Sequence, residues 1–349
     1  MARTLILTYL FVLFCVACSP DKKEDLLVEQ LTNPEYIFDK SEIGKINGIQ
    51  CNDSVLIVFD YHTGDNFSSF NRNTGKLIKR FGEIGQGPNE LPLGCLGHLT
   101  DDWFYVHYLS TGYLGVYNAD SLLTESKPYP TLLTTFTFPF SGVHLSKVIP
   151  LNDQYFFGAG LFSPKFQYMV INKNSLVVDY NVDVYNSEDE SMNVYHKMIT
   201  NEGTLRKHPT ENRFVYFVKR SSNIDFVEVA GSKINVIKLV REGNPDLTPK
   251  QSGTQAFVVP NSDCSIWYID MAVSSKYVYA LHTEKKITEP YSSDVVLIFD
   301  WNGNKIKQID LSQEAYYITV NEESGKLYAA IKEEDGGWNI ATYALNGQK

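Results

Sequence analysis

The run NRNTGKLIKRFGEIGQGPNEL, Asn71 to Leu91, decides the fold. Asn73-Thr74-Gly75 is a tight turn between two strand-like segments, and the second segment ends in a glycine-punctuated loop closed by Gly87-Pro88-Asn89-Glu90. The first half of this unit returns in weaker form down the chain. The sequence therefore reads as one β motif repeated, and period must be settled before any single element.

Six places carry a strand, a turn rich in Asn, Gly, Asp or Ser, and a second strand. They start at Phe67 (FSSFNRNTGKLIKRF), Tyr113 (YLGVYNADSLLTES), Tyr168 (YMVINKNSLVVDYN), Asp225 (DFVEVAGSKINVIKL), Val295 (VVLIFDWNGNKIKQIDL) and Trp338 (WNIATYALNGQK). Their turns lie 44 to 71 residues apart, the length of a four-stranded unit with variable loops. Each hairpin follows another strand-like run, such as SVLIVFDY or WFYVHYL, and a shorter segment upstream of that: INGIQC, LGHLT, GVHLSKV, VYHKMIT, WYIDMAV and YYITVN. Four strands in each of six units predict an all-β, six-bladed β-propeller occupying residues 26–349 as one domain. The sixth unit lacks a fourth strand of its own, and an open blade edge would leave backbone groups unpaired. LLVEQLTNPEYIFD, Leu26 to Asp39, is the remaining strand-like segment and is expected to complete the last blade and close the ring. The widest interval holds a loop-forming stretch, Gly243 to Asp263, expected to project from one face.

The N-terminus follows a different logic. Arg3 precedes an apolar run, Leu5 to Val16, too short to span a bilayer but suited to the core of an export signal. Val16-Ala17-Cys18 resembles a bacterial lipobox, although Cys15 stands where that motif usually has leucine. The expectation is a signal over residues 1–17, lipidation at Cys18 and a charged tether over 18–25 that resembles a surface-export signal; cleavage near Ala17 without lipidation is the alternative. This places the protein in the cell envelope as an outer-membrane lipoprotein touching membrane through its lipid alone, with surface display as what the charged tether implies. With net charge −10 and no basic stripe, nucleic acid is a poor partner. Cys51, Cys95 and Cys264 are widely separated and odd in number, which argues against a zinc knuckle or disulfide framework and for small buried hydrophobes.

Thr74-Gly75-Lys76, Phe81-Gly82, Gly85-Gln86-Gly87-Pro88 and Glu90 together resemble the signature of NHL-type six-bladed propellers and, more narrowly, of TolB-like propeller lipoproteins of bacterial envelopes. The motif covers about twenty residues and implies a fold, not a reaction. No Lys-Ser or Lys-Thr follows the glycine loop, so it is not a phosphate cradle, and the chain holds no G-x-S-x-G or H-E-x-x-H. No catalytic residue is assigned.

His98, His144 and His196 each fall in the short first segment of three successive units, the segment that lines a propeller's channel. Peptidylglycine lyases, also NHL-like propellers, gather such imidazoles on zinc, with Asp270 a further acidic candidate here; gluconolactonase-like propellers hold calcium through residues that have no assignable counterparts in this chain. The alternative is that the three histidines are hydrogen-bonded channel or core residues and that the protein carries no cofactor. The reading adopted is a binding module that recognises a peptide, glycan or protein partner at one face of the ring. The rival is a metal-dependent lyase or hydrolase.

Overall fold

A computed structural model of the chain describes residues 26–345 except 62–63, 88–89, 109–111, 127–128, 139–143, 164–165, 177, 183–199, 242–246, 253–254 and 262. The lipobox, the tether and His196 lie outside the described residues. Strands dominate what is described, with two short 3-10 turns between them.

A first strand, β1 (Leu27–Leu31), precedes four four-stranded antiparallel sheets and then joins a seven-stranded sheet that holds the last two blades. Blade one is β2 (Ile49–Cys51), β3 (Val55–Val58), β4 (Asp65–Asn71) and β5 (Leu77–Glu83). Blade two is β6 (Leu96–Leu99), β7 (Trp103–Tyr108), β8 (Tyr113–Asn118) and β9 (Leu132–Thr137). Blade three is β10 (His144–Pro150), β11 (Tyr155–Ser163), β12 (Phe166–Asn172) and β13 (Val178–Val182), and blade four is β14 (Gly203–Lys207), β15 (Arg213–Val218), β16 (Ile224–Ala230) and β17 (Lys233–Val240). A two-stranded hairpin, β18 (Leu247–Ser252) with β19 (Gln255–Pro260), makes up the excursion. Blade five is β20 (Tyr268–Val273), β21 (Tyr277–His282), β22 (Ser293–Asp300) and the first half of the 17-residue β23 (Lys305–Asn321). The second half of β23 then becomes the inner strand of blade six, followed by β24 (Lys326–Lys332) and β25 (Trp338–Ala344).

The first strands of neighbouring blades meet around a central channel: β2 touches β6 and β23, β14 touches β10 and β20, and β20 touches β23. Large apolar side chains fill the wedges between blades, since two sheet faces about 10 Å apart need big flat groups to close the gap. Phe67 of blade one meets Phe104 of blade two edge-on with centroids 5.2 Å apart, and Phe157 of blade three stacks on Phe214 of blade four at 4.0 Å.

The decisive stretch folds as its sequence dictates. Asn71 Oδ1 accepts from the backbone N–H of Asn73 (3.1 Å) and Thr74 (3.0 Å), and Gly75 turns back with φ of 71°. A Cβ at Gly75 would lie 1.9 Å from the carbonyl oxygen of Ile37, so glycine serves both the turn and the close passage of the N-terminal segment. Between them, Arg72 donates through Nε and Nη2 to the Asp53 carbonyl (2.9 and 2.7 Å) and through Nη1 to Ser324 Oγ of blade six (2.6 Å). The turn of the first blade is thereby tied to the last.

Closure uses the N-terminal segment in two ways. Glu35 and Thr342 of β25 exchange both backbone hydrogen bonds at 2.9 Å, which covers the outer edge of blade six, while β1 runs parallel to the first half of β23 and extends blade five. Phe38, buried among Phe70 and Tyr328, fixes the same segment by packing. In blade four the inner strand is Gly203–Lys207, a few residues beyond the VYHKMIT stretch expected there.

Candidate binding channel

The inner strands end on one face of the ring, where a cavity of about 380 Å³ opens between five of them. It is lined by the ends of β2, β6, β14, β20 and β23 and by the residues just beyond, and its size suits a small ligand or the end of a larger one. The rim is acidic, with Asp53, Asp101, Glu322 and Glu323. Two of these are held: Asp53 Oδ1 accepts from Asn321 Nδ2 at 2.7 Å, and the Glu322 carboxylate accepts from Ser275 N at 2.6 Å and Ser275 Oγ at 2.9 Å. Partial desolvation at the mouth, with Asp53 and Asp102 nearby, pushes the carboxyl of the exposed Asp101 above its ordinary range.

Deeper in, the charge reverses. Arg206 of β14 donates through Nε to the Met271 carbonyl (2.8 Å) and through Nη2 to Asp270 Oδ1 (3.1 Å), while Asp270 Oδ2 accepts from the Ile318 N–H (3.0 Å). One guanidinium and one carboxylate thus brace blades four, five and six. Burial raises the Asp270 carboxyl, opposed chiefly by Arg206.

Beyond Arg206 and His98 lies a small chamber of about 30 Å³ between blades two, three and four, lined also by Tyr105, His107 and Lys147. Burial and the surrounding cations Arg206, Lys207 and Lys147 hold His98 down at about 3, and burial with Lys147 holds His107 at about 4, so both imidazoles are neutral. Lys147 is held at about 7 by burial and by the nearby Lys219 and Arg206.

Of the histidines singled out in the sequence, His98 sits on β6 in this chamber, stacked over Tyr105 with ring centroids 6.4 Å apart. The backbone of His144 opens β10 opposite Leu161, and His196 lies outside the described residues. Among the described residues no three His, Cys, Asp or Glu side chains are grouped as a metal would need. Sequence reasoning missed Lys147, His107 and Arg206. Arg206 was obscured by the displaced inner strand of blade four. Lys147 follows a bulge between Leu145 and Lys147, which alternation cannot anticipate. His107, on the second strand of its blade, reaches the chamber across the gap to blade three.

The glycine loop has a local explanation. Glu90 folds back so that its carboxylate accepts from the Gly87 N–H at 2.6 Å, and a Cβ at Gly85 would lie 1.9 Å from the Glu90 Oε2. Gly-x-Gly-Pro-x-Glu is thus a self-satisfied loop, beside a groove of about 440 Å³ bordered by Tyr108, Tyr113, Tyr117 and Tyr129. Burial pushes the thiols of Cys51 and Cys95 up to about 12, which suits the apolar role expected of them.

Six blades around a channel, with the N-terminal segment covering the last blade, define a six-bladed β-propeller. The chain belongs to the TolB-like 6-blade propeller-like family, which matches residues 47–323. Among solved structures it is similar to a Bacteroides fragilis protein described as exported, at 14% identity and a TM-score of 0.54 over 94% of this chain and 96% of that one. It is similar to Raptor of Chaetomium thermophilum at 11% identity and a TM-score of 0.51, over 91% of this chain and 29% of that one. BamB of Moraxella catarrhalis aligns at 12% identity and a TM-score of 0.38, over 86% of this chain and 83% of that one. No curated protein matches the sequence.

Proposed function

We propose that this protein is an envelope lipoprotein, anchored through Cys18, whose propeller is a binding module that takes a peptide, glycan or protein partner at the channel mouth where the inner strands end. The observation that carries the reading is the 380 Å³ cavity, built jointly by five blades and lined by polar and charged side chains. Such concavity at the end of a channel is where a rigid scaffold presents converging groups. The lipobox-like Val16-Ala17-Cys18 and the exported structural neighbour support the location.

Asp101 and Glu323 border the mouth, are exposed, and make no hydrogen bond or ion pair among the described residues, so replacing them leaves the fold intact. The pair Asp101→Trp and Glu323→Trp should block the mouth. In an array of peptides, glycans and envelope proteins, partners of the wild type should lose binding to the blocked variant by at least about tenfold. Partners that bind both forms equally would refute the channel as the site. Mass spectrometry of the mature N-terminus should find a diacylated Cys18, absent in Cys18→Ala; an unmodified wild-type chain would refute the anchor.

A further inference from the structure

Two groups in the small chamber have no counterpart in the protein. His107 is 4% exposed, and neither ring nitrogen has a hydrogen-bond partner among the described residues. Buried polar atoms are ordinarily satisfied, and each orphan carries a desolvation penalty unless water or a ligand supplies the missing bond. Lys147 likewise makes no ion pair or hydrogen bond among the described residues. The charged groups that face it are Arg206, Lys219, Glu202 and Asp270. Arg206 is compensated by Asp270 at 3.1 Å, and Lys219 lies 3.5 Å from Glu202. Lys147 is left as the uncompensated cation of the chamber.

We propose that this chamber is the anchoring subsite for a carboxylate, and that the channel takes a small zwitterion of amino-acid or short-peptide size whose cationic end faces the acidic rim. The inference rests on the channel being the binding site. A single lysine with neutral imidazoles suits a monoanion: Lys147 supplies charge and each imidazole one N–H. The chamber of about 30 Å³ holds a group of carboxylate size, and the body of the ligand fits the 380 Å³ outside it. His98 and Arg206 border both spaces, so the chamber adjoins the channel at these two side chains. Asp53, Asp101, Glu322 and Glu323 at the rim oppose polyanions and favour an ammonium group at the other end. An anion beside Lys147 favours its charged form and so draws a proton from solution on binding near neutral pH, where the lysine is poised at about 7.

Calorimetric titration of the mature chain with trialanine, trialanine amide and acetate, near pH 7.5 in buffers of different ionisation enthalpy, tests this. Trialanine should bind at least about tenfold more tightly than its amide and should take up protons. Lys147→Met should abolish both the preference and the uptake, and His107→Phe should weaken binding while uptake remains. Unchanged melting cooperativity would confirm that both variants fold. Equal binding of acid and amide, an acid preference that survives Lys147→Met, or no trialanine binding would each overturn the proposal. If acid and amide bind equally and the Asp101→Trp and Glu323→Trp pair blocks both, the channel stands and only the carboxylate subsite falls. Water alone filling the chamber corresponds to the outcome in which no probe binds.

Discussion

Lys147 states most sharply the tension between stability and binding. Its folded value of about 7 lies below its ordinary 10.5, so between those limits the unfolded chain binds a proton that the folded chain does not. Stability therefore rises with pH across roughly pH 7 to 10, and below about 7 the full penalty of a half-buried, unpaired ammonium is present. Lys147→Met should reduce the rise in stability with pH, part of which Lys173 and Lys207 also supply, and stabilise the unliganded protein at pH 7 by about 1–2 kcal/mol, a gain typical of removing a functional group held at some cost to the fold. Chemical denaturation at pH 7 and pH 9.5 checks this. A variant less stable than wild type at pH 7, or one whose stability rises with pH as steeply as the wild type's, would mean that Lys147 has a structural partner. At this scale the sequence was only partly legible. Asn71, Gly75, Cys95 and Cys264 serve as their types and neighbours imply, whereas Cys51 is half-buried against Thr319. His107 and Lys147 do not announce themselves, because whether a side chain faces a channel depends on a bulge and on the gap between blades, neither of which has a local signature.

Hairpins were the most legible elements. Alternating apolar runs around Asn- and Gly-rich turns specify both the strands and their partners, and β4–β5, β16–β17 and β22–β23 lie where the repeat places them, whereas in blade two SLLTES opens as a 3-10 turn (Asp120–Leu123) and the partner strand β9 lies further on. Inner strands are harder. GTLRK is short and half polar, while VYHKMIT nearby has the stronger apolar pattern, so the expectation went to the wrong segment of blade four. The long β23 also hides a junction, since one unbroken strand serves two blades. The N-terminal segment contributes most to closure. Removing 26–39 would strip β1 from blade five, break the Glu35–Thr342 pair and expose the Phe38 pocket, a loss of at least about 5 kcal/mol that should lower Tm by about 10 °C or cause aggregation. Removing only 19–25 should leave Tm unchanged. Scanning calorimetry of the two truncations distinguishes them, and equal melting points would refute closure by this segment.

At the scale of the molecule, the ring makes the site by bringing together strand ends far apart in sequence. Gln50 of blade one shows how: its side chain donates to the Gly97 carbonyl at 2.8 Å and accepts from the Leu99 N–H at 2.6 Å, so two inner strands are joined across the channel wall. Arg206 and Asp270 do the same for blades four to six. This bracing keeps the mouth preformed, so binding need not order it. Hydrogen–deuterium exchange of the mature chain with and without trialanine is the most direct test of the central claim that ligands enter this channel. Segments 96–101, 144–150, 203–209 and 271–274 should gain protection together. Protection confined to the tyrosine groove around 82–92 and 108–132, or no protection anywhere, would contradict it.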